Sequence, residues 1–245
     1  MRLPIHMTTT RLLLLLTILQ AFIVTSCKQT NSIIPNEFHE TVLPKIGSNE
    51  WYSVNYSQNS FSVNIANEKL KIEQVKEINK CELKITGGTL VRINRGEWGG
   101  KLTFKPADTT KKAIEIKSGN IKYIFNFKNK IYFIEGLAHD GYSEGAIFEL
   151  NKQNDNFTFT KLVDFDDAPE ALAIYKNKFF IATYKNFYII QNFKKDLIFN
   201  DAFWSGLYPN SIAVLDEKNV FLGIRSGIAK LDLINKTLKF YKYEK

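Results

Sequence analysis

The sequence predicts an all-β fold, a small β-propeller of five blades of about 41 residues each, and three observations lead there. Short runs rich in Phe, Tyr, Ile and Val alternate with turns rich in Asn, Gly and Lys, which suits strands joined tightly. The runs recur in fours. The period of the fours is close to 41, the length of a four-stranded blade. Four blades, or another all-β fold such as a sandwich, are the alternatives the pattern leaves open.

In chain order, residues 1–26 read as a signal peptide. Arg2 and Arg11 precede Leu12–Val24, a largely apolar run of 13 residues, and no acidic residue occurs before Glu37. The run falls well short of the roughly 20 residues a membrane-spanning helix needs. Val24-Thr25-Ser26-Cys27 closes it. This tetrapeptide resembles the lipobox of bacterial lipoproteins, in which an aliphatic residue and two small ones precede an acylated Cys. The resemblance implies that Cys27 becomes the first residue of the mature chain and carries acyl chains such as palmitate. Two or more chains make a stable anchor, so the lipid bilayer is the first expected partner. Lys28 stands where an Asp would resemble the inner-membrane retention signal of Gram-negative lipoproteins, which favours the outer membrane in such an envelope. Residues 27–40 are expected to be the lipidated Cys and a polar tether, and 41–245 the propeller domain. Cys81 is the other cysteine, so no internal disulfide can form, and it is expected to be a small buried hydrophobe.

The turns Gly87-Gly88, Lys128-Asn129-Lys130, Lys176-Asn177-Lys178 and Glu217-Lys218-Asn219 recur at spacings of 41, 48 and 42. A second strand follows each: Leu90–Asn94, Ile131–Ile134, Phe179–Thr183 and Val220–Ile224. Third strands follow at 101–104, 146–150, 187–190 and 228–233, and weaker fourth strands at 113–117, 157–163, 197–200 and 238–241. The spacing of 48 reflects an insertion at 137–144. One period before Gly88 lies Gly47, and 41–46, 51–56, 61–65 and 70–73 are expected to be a further blade, weakened by Pro44.

Tyr208–Asp232 (YPNSIAVLDEKNVFLGIRSGIAKLD) resembles the repeat of sensor-type and gluconolactonase-like propellers, with Asn219 and Gly227 at the turn positions. The likeness is fair over 171–200, and the segments 94–100 and 135–139 resemble uncharacterised bacterial propeller proteins. These imply a fold. The acidic metal ligands and Asn of the gluconolactonase-like enzymes find no residue-by-residue match here, so that chemistry does not carry over.

The whole chain has 33 basic and 25 acidic residues, a net charge of +8. Without Arg2 and Arg11 the net falls to +6, spread as single Lys residues and pairs. No basic run interleaved with aromatics occurs, which argues against nucleic acid. A single His in the domain, with no Ser- or Cys-centred motif, argues against a hydrolase triad.

Blade geometry puts the turns between second and third strands on the same side as the links between blades. That side collects the unusual residues: Arg95, Glu97, Trp98, His139, Asp140, Trp204, Tyr208 and Arg225 are the candidate ligand-binding residues. Trp98 and Trp204 could stack on sugars or a partner, or could fill the gap between blades. Glu135, His139, Asp140 and Glu144 could ligate a cation but match no zinc or calcium spacing, and a polar loop would carry the same residues. Asp164, Asp166, Asp167 and Glu170 could form an acidic lip or a solvated turn. No catalytic residue, metal site or cofactor is assigned. The expected function is a membrane-tethered envelope lipoprotein with a binding or scaffold propeller for a protein or glycan. The alternative is a metal-assisted lactonase or lyase using Glu97, Glu135, His139 and Asp140.

Overall fold

The computed structural model describes residues 33–75 and 80–244. The expected signal peptide, Cys27 and the tether up to residue 32 lie outside the described residues. Among the described residues no helix is long and apolar enough to cross a membrane.

The described chain is all-β apart from one short α-helix and a single 3-10 turn. It opens with β1 (Phe38–Thr41), α1 (Asn49–Asn55) and a hairpin of β2 (Phe61–Ala66) and β3 (Lys69–Gln74). Four antiparallel meanders follow. The first is β4 (Lys80–Ile85), β5 (Gly88–Asn94), β6 (Gly100–Pro106) and β7 (Ile114–Ser118). The second is β8 (Ile121–Phe127), β9 (Lys130–His139), β10 (Tyr142–Gln153) and β11 (Asn156–Phe165). The third is β12 (Pro169–Tyr175), β13 (Lys178–Thr183), β14 (Phe187–Gln191) and β15 (Lys194–Phe199). The fourth is β16 (Ser211–Asp216), β17 (Asn219–Ile224), β18 (Gly227–Asp232) and β19 (Thr237–Tyr243).

The first and second strands carry the contacts between sheets: β8 meets β4 and β5, β12 meets β8 and β9, β16 meets β12 and β13, and β2 meets β16 and β17. The second strands β13 and β17 are buried along nearly their whole length. Their continuous apolar sequences, Phe179-Phe-Ile-Ala and Val220-Phe-Leu, therefore face protein on both sides, each large side chain contributing about 1.5–3 kcal/mol.

Three expectations are corrected. The domain begins before residue 41. Ile34 and Phe38 are buried, and β1 pairs with β19 from Phe38↔Tyr243 to Thr41↔Phe240, giving the last meander a fifth strand. The strands expected at 41–46 and 51–56 are absent, and α1 stands in place of the second. Ser48 caps it by accepting from the Trp51 N–H, and Glu50 lies in its first turn. The insertion at 137–144 is not a loop. It continues β9 and β10 as a paired extension, Gly136↔Gly145 to His139↔Tyr142, tipped by Asp140-Gly141.

Each meander has two dissimilar ends. At the turn end, first and second strands are joined by Lys128-Asn129 and Lys176-Asn177, with both φ angles positive as tight hairpin turns require. At the link end, the turns between second and third strands are stitched to the inter-sheet links. Gly119 donates to Gly100, Gly136 to Asn120, Tyr184 to Ala168, Ala202 to Lys185, and Arg225 to Leu207, all through backbone groups. These bonds bring the four second-to-third turns to one side.

Candidate functional site

Much of the link end is buried framework. Asp167 is fully buried and accepts from Ser143 Oγ at 2.8 Å, from the Lys185 N–H at 2.9 Å and from Thr183 Oγ1. A carboxylate can stay there because three donors replace its water. Pro169 crosses the base of the β9–β10 extension so closely that a Cβ on Gly136 would lie 2.9 Å from both Pro169 Cδ and its carbonyl oxygen, and Gly145 meets the same ring. Trp204 is 0% exposed, meets Phe203 edge-on at 5.8 Å inside a core cluster drawn mainly from the third and fourth meanders, and donates through Nε1 to the Thr183 carbonyl at 3.3 Å. It fills the space between sheets and is not available to a ligand.

Deeper lies an ion pair that sequence reading did not single out. Lys122 and Glu170 sit at corresponding positions, each skipped by a register shift near the start of the first strand of its sheet. A bulge re-aims its side chain. Here the two meet, Nζ to Oε2 at 2.6 Å, both mostly buried. Burial pushes the Glu170 carboxyl up from its ordinary value, and Lys122 draws it back. Tyr123 hydroxyl lies 3.1 Å from the Glu170 carbonyl oxygen and 3.2 Å from that of Asn210. Burial first, and the Glu170 charge second, push its pKa up to about 12. Arg92 reaches the Ile121 carbonyl at 3.4 Å, while its Nε is buried without a partner. Cys81, the cross-strand neighbour of Arg92, is a free thiol and only partly buried, where full burial was expected.

Exposed side chains stand on this framework. A 3-10 turn at Gly96–Trp98 places Glu97 against the β9–β10 tip, where His139 Nε2 lies 3.1 Å from Glu97 Oε2 and 3.1 Å from Asp140 Oδ2. Trp98 is 78% exposed beside them, and Arg95 is exposed. Glu135 is elsewhere, 2.7 Å from Lys117. No three His, Cys, Asp or Glu side chains among the described residues are placed to hold a metal ion. Of the four residues of the metal-assisted alternative, Glu97, His139 and Asp140 come together at this tip, and Glu135 pairs with Lys117 instead.

A second exposed group surrounds the 201–210 link. Tyr208, at φ +53°, stacks on Arg225, whose guanidinium carbon is 4.3 Å from the ring centroid. Arg225 Nη1 donates to the Asn55 carbonyl, Trp51 Nε1 to Ser205 at 3.2 Å and Asn55 Nδ2 to Gly206 at 2.7 Å, so α1 is moored to the link. Tyr52 and Tyr56 stack on one another on its outer side. The sequence matches no family model and no curated protein.

Of the candidate residues, Arg95, Glu97, Trp98, His139 and Asp140 form one exposed group, exposed Tyr208 stacks on half-buried Arg225 in another, and Trp204 is core. Sequence reading missed Tyr142, Tyr52 and Tyr56. Tyr142 was legible as the residue following an Asp-Gly turn. The two others required knowing that 49–55 is helical, which puts positions four apart on one side.

Proposed function

We propose that this chain is a lipid-anchored envelope protein whose domain, a five-unit β-propeller, binds a protein or glycan partner through its link end. Four four-stranded meanders in succession, touching through their first and second strands, support the propeller reading. The β2–β3 hairpin takes the place of the incomplete unit, and β1 adds to the last meander at its outer edge, beside β19. The Val24–Cys27 motif supports the anchor, with Cys27 acylated, and Lys28 favours an outer-membrane address in a Gram-negative envelope.

One observation carries the binding reading. Five exposed Trp and Tyr side chains, Tyr52, Tyr56, Trp98, Tyr142 and Tyr208, lie at the link end, between 43% and 78% exposed. Large amphipathic rings beside an Arg, on a rigid base, are what recognition surfaces concentrate.

Two measurements test it. Labelled palmitate should enter the wild type and be lost in Cys27→Ala, and label retained in the variant contradicts the anchor. Trp98→Ala with Tyr142→Ala should remove partner co-purification while leaving the melting temperature within a degree or two. Unchanged co-purification contradicts the binding surface.

A further inference from the structure

We propose that a cleft at the opposite, turn end is a binding site for a small aromatic acid, a planar ring bearing a carboxylate, sulfonate or phosphate. The cleft, of about 240 Å³, lies between the β8–β11 and β12–β15 sheets. Phe127, Tyr132, Phe179 and Phe193 wall it and Ile190 closes its apolar side. The rings already meet one another edge-on or tilted, with Phe127 to Phe179 at 4.8 Å and Tyr132 to Phe193 at 5.6 Å between centroids. Tyr132, Phe179 and Ile190 are buried beneath, and the partly exposed Phe127 and Phe193 leave faces that a further ring can meet in the same geometry. Its volume limits the occupant to a small molecule.

The rim decides the charge of that ligand. Lys128, Lys130, Asn177 and Asn192 supply its polar groups, and no Asp or Glu is among the described lining residues. Lys130 is occupied by Glu149, at 2.9 Å. Lys128 has no carboxylate partner among the described residues, and its Nζ lies 5.2 Å from the Phe127 ring centroid, over the aromatic wall. An ammonium so placed favours an anion and disfavours a cation, even though aromatic walls alone would accept one.

The backbone adds an independent observation. Asn192 and Phe193 form the β14–β15 turn with φ of +51° and +60°. Asn-Gly is the ordinary choice for two left-handed positions in a row, and a bulky residue at the second is an outlier. Gly would make the turn with less strain but would remove a wall of the cleft. The strained turn keeps the Phe193 ring over the cleft, against Tyr132 and Phe179.

Calorimetric titration of the purified protein with indole-3-acetate, indole-3-ethanol and tryptamine tests this. The acid should bind at least tenfold more tightly than the amine. Lys128→Gln should bring acid and alcohol to within about threefold of one another. Phe193→Gly should abolish acid binding with the melting temperature unchanged or raised. Equal binding of acid and amine, no binding of the acid, or acid binding unaltered in Phe193→Gly overturns the proposal. If Phe193→Gly melts lower, the Lys128→Gln titration decides: lost acid preference upholds the site, and unchanged preference overturns it.

Discussion

The two ends of the sheets spend their unusual residues differently. At the link end, chemically conspicuous side chains divide into those that hold the fold and those that face out. Asp167, Glu170, Trp204 and the glycines at 136 and 145 are committed to crossings between sheets. Trp98, His139, Tyr142 and Tyr208 stand outside them. At the turn end the residues are plain, Lys-Asn pairs in left-handed turns, yet two of those turns and Asn192-Phe193 rim an aromatic cleft. Residue type alone is therefore a poor guide to function in this fold, and burial separates the two uses.

Substitutions sharpen that division. The largest effect is expected for Trp204→Ala, which should cost about 3–5 kcal/mol by leaving a cavity among fully buried neighbours. Chemical denaturation measures it. A cost below about 1 kcal/mol would return Trp204 to the candidate surface.

Asp167→Ala should follow, at about 2–3 kcal/mol, because Ser143, Thr183 and the Lys185 N–H lose their acceptor inside the protein. Asp166→Ala, at an exposed neighbour, should lie within about 0.5 kcal/mol. Equal losses for the two would mean that the crossing is not what the buried carboxylate stabilises.

Alkaline pH probes the same end. Tyr123 keeps its proton in the folded state up to about 12, whereas an unfolded tyrosine ionises near 10. Unfolding above pH 10 therefore releases a proton, and stability should fall as pH rises from about 10 through 12, by on the order of 2–3 kcal/mol. Tyr123→Phe should flatten that fall, read as the difference in urea midpoints at pH 9 and pH 11. An equally steep fall in the variant would assign the effect to other tyrosines, of which Tyr241 is the other pushed to about 12. The smallest effect belongs to the turn end, where Lys218→Gln should change stability by less than about 0.5 kcal/mol.

The meanders were legible because their turns and apolar runs repeat. All four turns fall between first and second strands, and the expected strands match β5, β9, β13 and β17 to within a residue or two at most ends. The first unit was not legible. Trp51–Tyr56 has the aromatic and β-branched content of a strand, and a cap from Ser48 with docking on Ser205 and Gly206 overrides it. The start of the domain was not legible because Ile33, Ile34 and Phe38 are the few apolar residues in a polar stretch, and only β1 pairing with the far end of the chain shows the use of Ile34 and Phe38. In the candidate site, the exposed group around Glu97 and His139 followed from the turn positions. The Lys122–Glu170 pair did not, since a bulge has no signature in a single strand.

Photo-crosslinking in intact cells tests the central claim most directly, that a partner meets the link end. A photoreactive residue at position 98, 142 or 208 should give one discrete adduct of the same partner, while Lys218 and Ile234 at the turn end give none. Adducts from 218 and 234 with none from 98, 142 and 208 would contradict the assignment of the binding surface.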